Sequence, residues 1–220
     1  MTVEDPNRAG LADEKDRRGA PAFTISAEPR TDTPRTYIIV GSPRGGTSMV
    51  AGLASICGLR LGTESRKNQE DPEFNLRDLR QAGKDPIPSI RDTIDRRNAE
   101  HPVWGWKFPR AIAYLDQVRT ALRSPHFIIV SRDPVASAGR RISQGIAPVD
   151  AITERLELML RNIDLVTRWG APALVVSYER TLQKPMTATS QIADFLGMAV
   201  PTDPAHVHAF IQPGSYRHVP

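Results

Sequence analysis

Gly41-Ser42-Pro43-Arg44-Gly45-Gly46-Thr47-Ser48 is the stretch with the clearest chemistry in this chain. Glycines let a backbone curl until several N–H groups converge on one point. A helix N-terminus adds partial positive charge at the same place, so such a loop holds an anion. The spacing nearly follows the triphosphate pattern G-x-x-x-x-G-K-[ST]: Gly41, Gly46 and Ser48 fit, but Thr47 stands where the lysine belongs. That lysine reaches the β- and γ-phosphates of a triphosphate. Here the cation lies inside the loop, at Arg44, which points to a shorter anion whose transfer need not depend on Mg²⁺. Two further cations end apolar runs: Lys107 closes Val103–Lys107, and Arg132 follows His126–Ser131.

The elements that position these residues follow from hydrophobic pattern. Thr36–Val40 is a β-branched and aromatic run and predicts a buried parallel strand. Ser48–Leu59 predicts a helix. Residues 60–102 are polar, contain Pro72, Pro86 and Pro88, and predict loops with short helices. Val103–Lys107, His126–Ser131 and Ala173–Ser177 predict three more strands. Helices are expected over Ala111–Arg123, over Pro134–Gly145 with Asp133 as cap, and over Pro185–Leu196. Asp150–Arg168 predicts an amphipathic helix with Ile152, Leu156, Met159, Leu160, Ile163 and Val166 on its core face. Strands alternating with helices give an α/β three-layer sandwich of P-loop type, with a mainly parallel sheet of about four to five strands. Ligands of such sheets bind at the carboxyl ends of the strands, where the loop and both cations lie.

The 220 residues fit one domain. Residues 1–34 are charged, contain Pro6, Pro21, Pro29 and Pro34, and read as a disordered tail before a domain spanning 35–220. The net charge is +4, and the basic excess is arginine, since only five residues are lysine. Guanidinium groups suit a bidentate grip on phosphate or sulfate. The positive charge is scattered and no nucleic-acid reader motif is present. Cys57 is the lone cysteine, which excludes an internal disulfide and a cysteine-based metal site. No apolar run is long enough to span a bilayer, and a cytoplasmic location is expected.

The sequence of residues 37–54, YIIVGSPRGGTSMVAGLA, resembles the 5′-phosphosulfate loop of the sulfotransferases that use 3′-phosphoadenosine 5′-phosphosulfate (PAPS). The resemblance implies that Arg44, Gly45, Gly46, Thr47 and Ser48 surround the phosphosulfate, with Arg44 steadying the bridging oxygen. It implies that Arg132 holds the 3′-phosphate. The family's partner serine eight residues on is replaced by Arg140, which either grips that phosphate or forms a solvated face. Trp104-Gly105-Trp106-Lys107-Phe108-Pro109-Arg110 resembles the family's W-G-W-K strand end, and implies that Lys107 faces the reaction centre. The two tryptophans are core or cleft wall. The segment 174–197, LVVSYERTLQKPMTATSQIADFLG, is similar to a late family block in which Tyr178 would lie near the adenine. Arg217 is a candidate to close over the nucleotide.

The family histidine base is absent, because Pro109 takes its place. Glu73 is the expected general base, with Glu70, Asp71 and His101 as alternatives. The product nucleotide would be adenosine 3′,5′-bisphosphate (PAP), with no metal required, and the acceptor a small molecule or carbohydrate, as in many bacterial relatives. Two rivals stand beside this reading. A P-loop small-molecule kinase would need a lysine at 47 and a Mg²⁺-binding acid at a strand end. A non-catalytic nucleotide-binding protein would bind PAPS without turnover.

Overall fold

The computed structural model describes residues 19–26, 34–62 and 68–211. Five strands form one sheet in the order β1-β5-β4-β2-β3: β1 (Ala22–Ser26), β2 (Arg35–Gly41), β3 (Val103–Lys107), β4 (Pro125–Ser131) and β5 (Ala173–Ser177). All pairs are parallel except β1 with β5. The central strand β2 is buried from Thr36 to Gly41, because both faces of the sheet are covered. Side chains of a strand alternate between faces. Tyr37 and Ile39 therefore enter one core, and Ile38 and Val40 the other.

The Tyr37 face packs under α1 (Thr47–Ile56). The opposite face packs against η-turn residue Phe74, α2 (Leu76–Gln81), α3 (Pro86–Glu100), α4 (Leu115–Val118), then past α5 (Pro134–Ile142) against the long α6 (Pro148–Trp169). After β5 come α7 (Tyr178–Gln183), α8 (Pro185–Leu196) and α9 (Pro204–Ile211), of which α8 and α9 complete the Tyr37 side. The result is the expected three-layer α/β arrangement. Among the described residues no helix is long and apolar enough to cross a membrane.

The two strand tryptophans belong to the core. Phe74 stacks on Trp106 at 4.3 Å between ring centres, and Trp104 on Trp106 at 5.6 Å. Trp106 Nε1 donates to Tyr114 Oη at 3.1 Å, and Tyr114 Oη donates to the Phe74 carbonyl at 3.1 Å.

Four expectations need correction. Ala22–Ser26 lies inside the expected disordered tail yet forms an edge strand. Its register against β5 is held by backbone bonds, helped by Ser177 N donating to Pro21 O at 2.8 Å and Ala22 N to Gln191 Oε1 at 2.9 Å. The remaining residues of that tail, 1–18 and 27–33, lie outside the described residues. The helix expected over Ala111–Arg123 is three short turns, because Tyr114 leaves helical geometry (φ −135°, ψ −8°) with its hydroxyl engaged in the core.

On α6 the buried face is Ala151, Arg155, Leu158, Asn162, Leu165, Val166 and Trp169, whereas Leu156 and Leu160 are 49% and 67% exposed. Two polar residues sit on the true core face, so the apolar stripe marked the neighbouring one. Finally, α9 lies beyond the last expected element, the helix over Pro185–Leu196. Its Phe210 ring rests on Gly52 of α1 so closely that a Cβ there would stand 1.9 Å from it.

Candidate active site

β2 delivers the anion loop at the centre of the sheet. Gly45 N donates to Ser42 O at 2.8 Å, which tightens the turn, and Arg44 and Gly46 both take left-handed backbone angles (φ 66° and 86°). Helix α1 then begins at Thr47 with Gly46 as its cap residue, and no side chain bonds its first-turn amides. The helices that follow β4 and β5 differ. Asp133 caps α5 through Val135 N at 2.8 Å, and Ser177 caps α7 through Arg180 N at 3.3 Å. With no side-chain cap on its start, α1 directs its dipole toward the cleft, where an external anion would be favoured. Gly46 is obligatory for a second reason: a Cβ there would lie 2.1 Å from the Tyr178 ring.

The loop opens onto a cleft of about 410 Å³, lined also by Asn68, Glu70, Lys107, Pro109, Arg132 and Arg140. Strand order explains the convergence. β2 is flanked by β3 on one side and β4 on the other, so the chain reverses direction across the sheet at β2. Crevices at such switch points are where open α/β sheets bind ligands.

Lys107 reaches the cleft from the end of β3 and is only 2% exposed. Its Nζ donates to Asn68 O at 2.9 Å, Glu70 Oε1 at 3.2 Å and Ser48 Oγ at 3.4 Å. Burial pushes its pKa below the ordinary lysine value, and the Glu70 carboxylate opposes that shift. Ser48 Oγ itself donates to Asn68 O at 2.7 Å.

Arg132 comes from the end of β4. Its Nη1 donates to the Arg44 carbonyl at 2.6 Å, and its guanidinium carbon lies 4.4 Å from the centre of the Tyr178 ring. Its Nε is buried with no hydrogen-bond partner, and among the described residues no carboxylate forms an ion pair with it. Buried donors are ordinarily satisfied, so an open guanidinium edge in a cleft is a place for an anion.

Of the sequence-predicted site residues, Arg44, Gly46, Thr47, Ser48, Lys107, Arg132 and Arg140 line one cleft, with Gly45 buried inside the loop turn. Ser137 is buried with its hydroxyl on Pro134 O at 3.2 Å, which leaves Arg140 as the helix residue facing the cleft. Tyr178 lies between Gly46 and Arg132. Arg217 lies outside the described residues.

Glu73 is elsewhere. Its carboxylate accepts from Arg96 Nη2 at 2.8 Å and Arg97 Nη2 at 2.7 Å on α3. Asp71 is buried against Arg97 at 2.6 Å and caps the turn at Pro72–Phe74 through Glu73 N. His101 borders a separate small hollow with Arg97 and Trp104. The carboxylate that does face the cleft is Glu70, 20% exposed. The sequence signal for this was Asp71-Pro72: a capped turn starting there carries Glu73 away from Glu70.

The loop, Lys107, Arg132 and Arg140 gather cationic groups and the start of α1 around one cleft, a setting for an anionic ligand. Glu70 stands beside Lys107 in the same cleft. A family model described as "Sulfotransferase family" matches residues 37–202. Among solved structures, the sulfotransferase domain of the Synechococcus PCC 7002 olefin synthase is similar in fold, with a TM-score of 0.57 at 21% identity over 87% of this chain and 82% of that one. No curated protein matches the chain.

Proposed function

This chain belongs to the sulfotransferase family, and we propose that it transfers a sulfuryl group from PAPS to a hydroxyl or amine of a small-molecule or carbohydrate acceptor in the cytoplasm. The observation that carries the reading is the pairing of an uncapped, glycine-started helix with two cationic strand ends at one switch point.

PAPS, when bound, supplies the sulfuryl group and leaves as PAP. The chain's own residues do the rest. The α1 amides and Arg44 hold the 5′-phosphosulfate and stabilise charge on the departing phosphate oxygen. Arg132 and Arg140 hold the 3′-phosphate, and Tyr178 supports Arg132 and borders the base. Lys107 stands at the sulfuryl oxygens. Glu70, not Glu73, accepts the acceptor proton as the acceptor oxygen or nitrogen bonds to sulfur. By analogy with phosphoryl transfer, alignment and charge stabilisation are the main tasks, and neither needs a metal.

Calorimetric titration tests this reading. PAP should bind with a dissociation constant near or below micromolar, about −8 kcal/mol, and ATP far more weakly. Arg44→Ala should weaken PAP and adenosine 5′-phosphosulfate alike. Arg132→Ala should weaken PAP while barely changing adenosine 5′-phosphosulfate. Equal weakening of both ligands by Arg132→Ala, or equal affinity for PAP and ATP, would refute the assignment.

A further inference from the structure

A second group of cations, unused above, stands beside the cleft. Glu154 on α6 accepts from Arg110 Nη2 at 3.2 Å and lies 3.3 Å from Arg141 Nε, while Arg155 Nη1 stands 3.9 Å away. Three guanidiniums therefore share one carboxylate.

Arg155 is the anomaly. Its side chain is 5% exposed, and its Nε and Nη1 are buried without any hydrogen-bond partner. Those two nitrogens forfeit their hydration with only the loose ion pair to Glu154 in return. Burial pushes its pKa down; Glu154 opposes this, and the like charges of Arg110 and Arg141 push it down further. An apolar side chain of similar volume would fill this turn of α6 without that penalty, so packing gives no reason for arginine here.

The cluster is tied to the cleft by the chain itself. Arg110 follows Pro109 and Arg141 follows Arg140, and both Pro109 and Arg140 line the cleft. The cluster lies past the end of β3, on the side where ligands of a parallel sheet bind.

We propose that Arg110, Arg141 and Arg155 form a subsite for an anionic group, a carboxylate or sulfate carried by the acceptor. The word acceptor rests on the sulfuryl-transfer reading; the anion site itself does not. Glu154 balances one of the three charges and holds the two exposed forks in place. The remaining positive charge selects an acidic acceptor, such as a sugar bearing a uronate, over its neutral counterpart.

The test uses the PAP-saturated full chain with ¹⁵N-labelled arginine side chains, read by NMR. Sodium sulfate and 4-nitrophenyl glucuronide should each shift the Arg155 Nε resonance saturably, and 4-nitrophenyl glucoside should not. The double variant Arg110→Gln/Arg141→Gln alters two solvent-accessible side chains. It should keep the melting temperature and PAP affinity and weaken the glucuronide response at least tenfold. Three outcomes overturn the proposal: no shift with either anion, equal shifts with both sugars, or a sulfate response without a glucuronide response. Failure of the chain to bind PAP, with the anion response of Arg155 intact, would instead count against the sulfuryl-transfer reading and leave the anion site standing.

Discussion

Glu70 and Glu73 are three positions apart and do opposite work. Glu70 stands 3.2 Å from the buried Lys107 in the cleft, and Glu73 is locked by Arg96 and Arg97. Glu70→Gln should therefore lower turnover by about 10²- to 10⁴-fold while leaving PAP affinity near that of the wild type. Glu73→Gln should leave turnover alone and lower stability. Burial by itself would raise the Glu73 pKa, but hydrogen bonds from Arg97 and Arg96 outweigh it and hold the carboxyl below its ordinary value. A carboxyl lowered in the folded state stabilises the fold above its unfolded pKa, about 4.3, and that contribution fades as pH falls through the folded value. Urea midpoints of wild type and Glu73→Gln should therefore differ most at neutral pH and converge in acid. Constant separation across that range would contradict the ion-pair account. Gly46→Ala combines φ 86° with a Cβ 2.1 Å from the Tyr178 ring. It should cost about 1–3 kcal/mol in thermal melts and weaken PAP in calorimetry, because the ring must move from beneath Arg132. The loop, Lys107 and Arg132 were legible because each sits at a fixed strand end. The choice between Glu70 and Glu73 was not, since it depends on Arg97, 24 positions further on.

Helices and strands were readable to the extent that burial follows apolar pattern. β2 and β4, apolar on both faces, and α8, stopped by Gly197, match the pattern closely. α6 does not, because Arg155 and Asn162 occupy its buried face. The consequence is measurable: Leu158, 7% exposed, should cost about 2–4 kcal/mol on truncation to alanine. Leu160, 67% exposed, should change stability by no more than about 0.5 kcal/mol. Equal losses in denaturant titrations would restore the apolar stripe as the core face. β1 escaped notice because backbone pairing, not composition, holds it; Phe23 and Ile25 remain 46% and 47% exposed. α9 was hidden by distance, since its partner Gly52 lies on a helix more than 150 positions earlier.

For the whole molecule, strand order does what no single element can. Placing β2 between β3 and β4 brings the loop after residue 41, Lys107 and Arg132 to one crevice, although they are spread over much of the chain. The alternation of strands and helices made the layered architecture and the ligand-bearing edge of the sheet foreseeable. It could not reveal which side chains behind that edge, such as Arg155, carry buried nitrogens without a hydrogen bond.

The packing of the indoles has a practical outcome for optical work. Trp104 and Trp106 are sealed within the aromatic stack, and Trp169 is 9% exposed with its Nε1 on Asp116 at 2.9 Å. None borders the cleft, so emission excited at the indole band should ignore added PAP. It should shift to longer wavelength only when the Phe74 side of the sheet comes apart, which makes fluorescence a clean reporter of unfolding and a blind one for nucleotide. A PAP-dependent change in that emission would mean that ligand binding reaches across the sheet to the opposite layer.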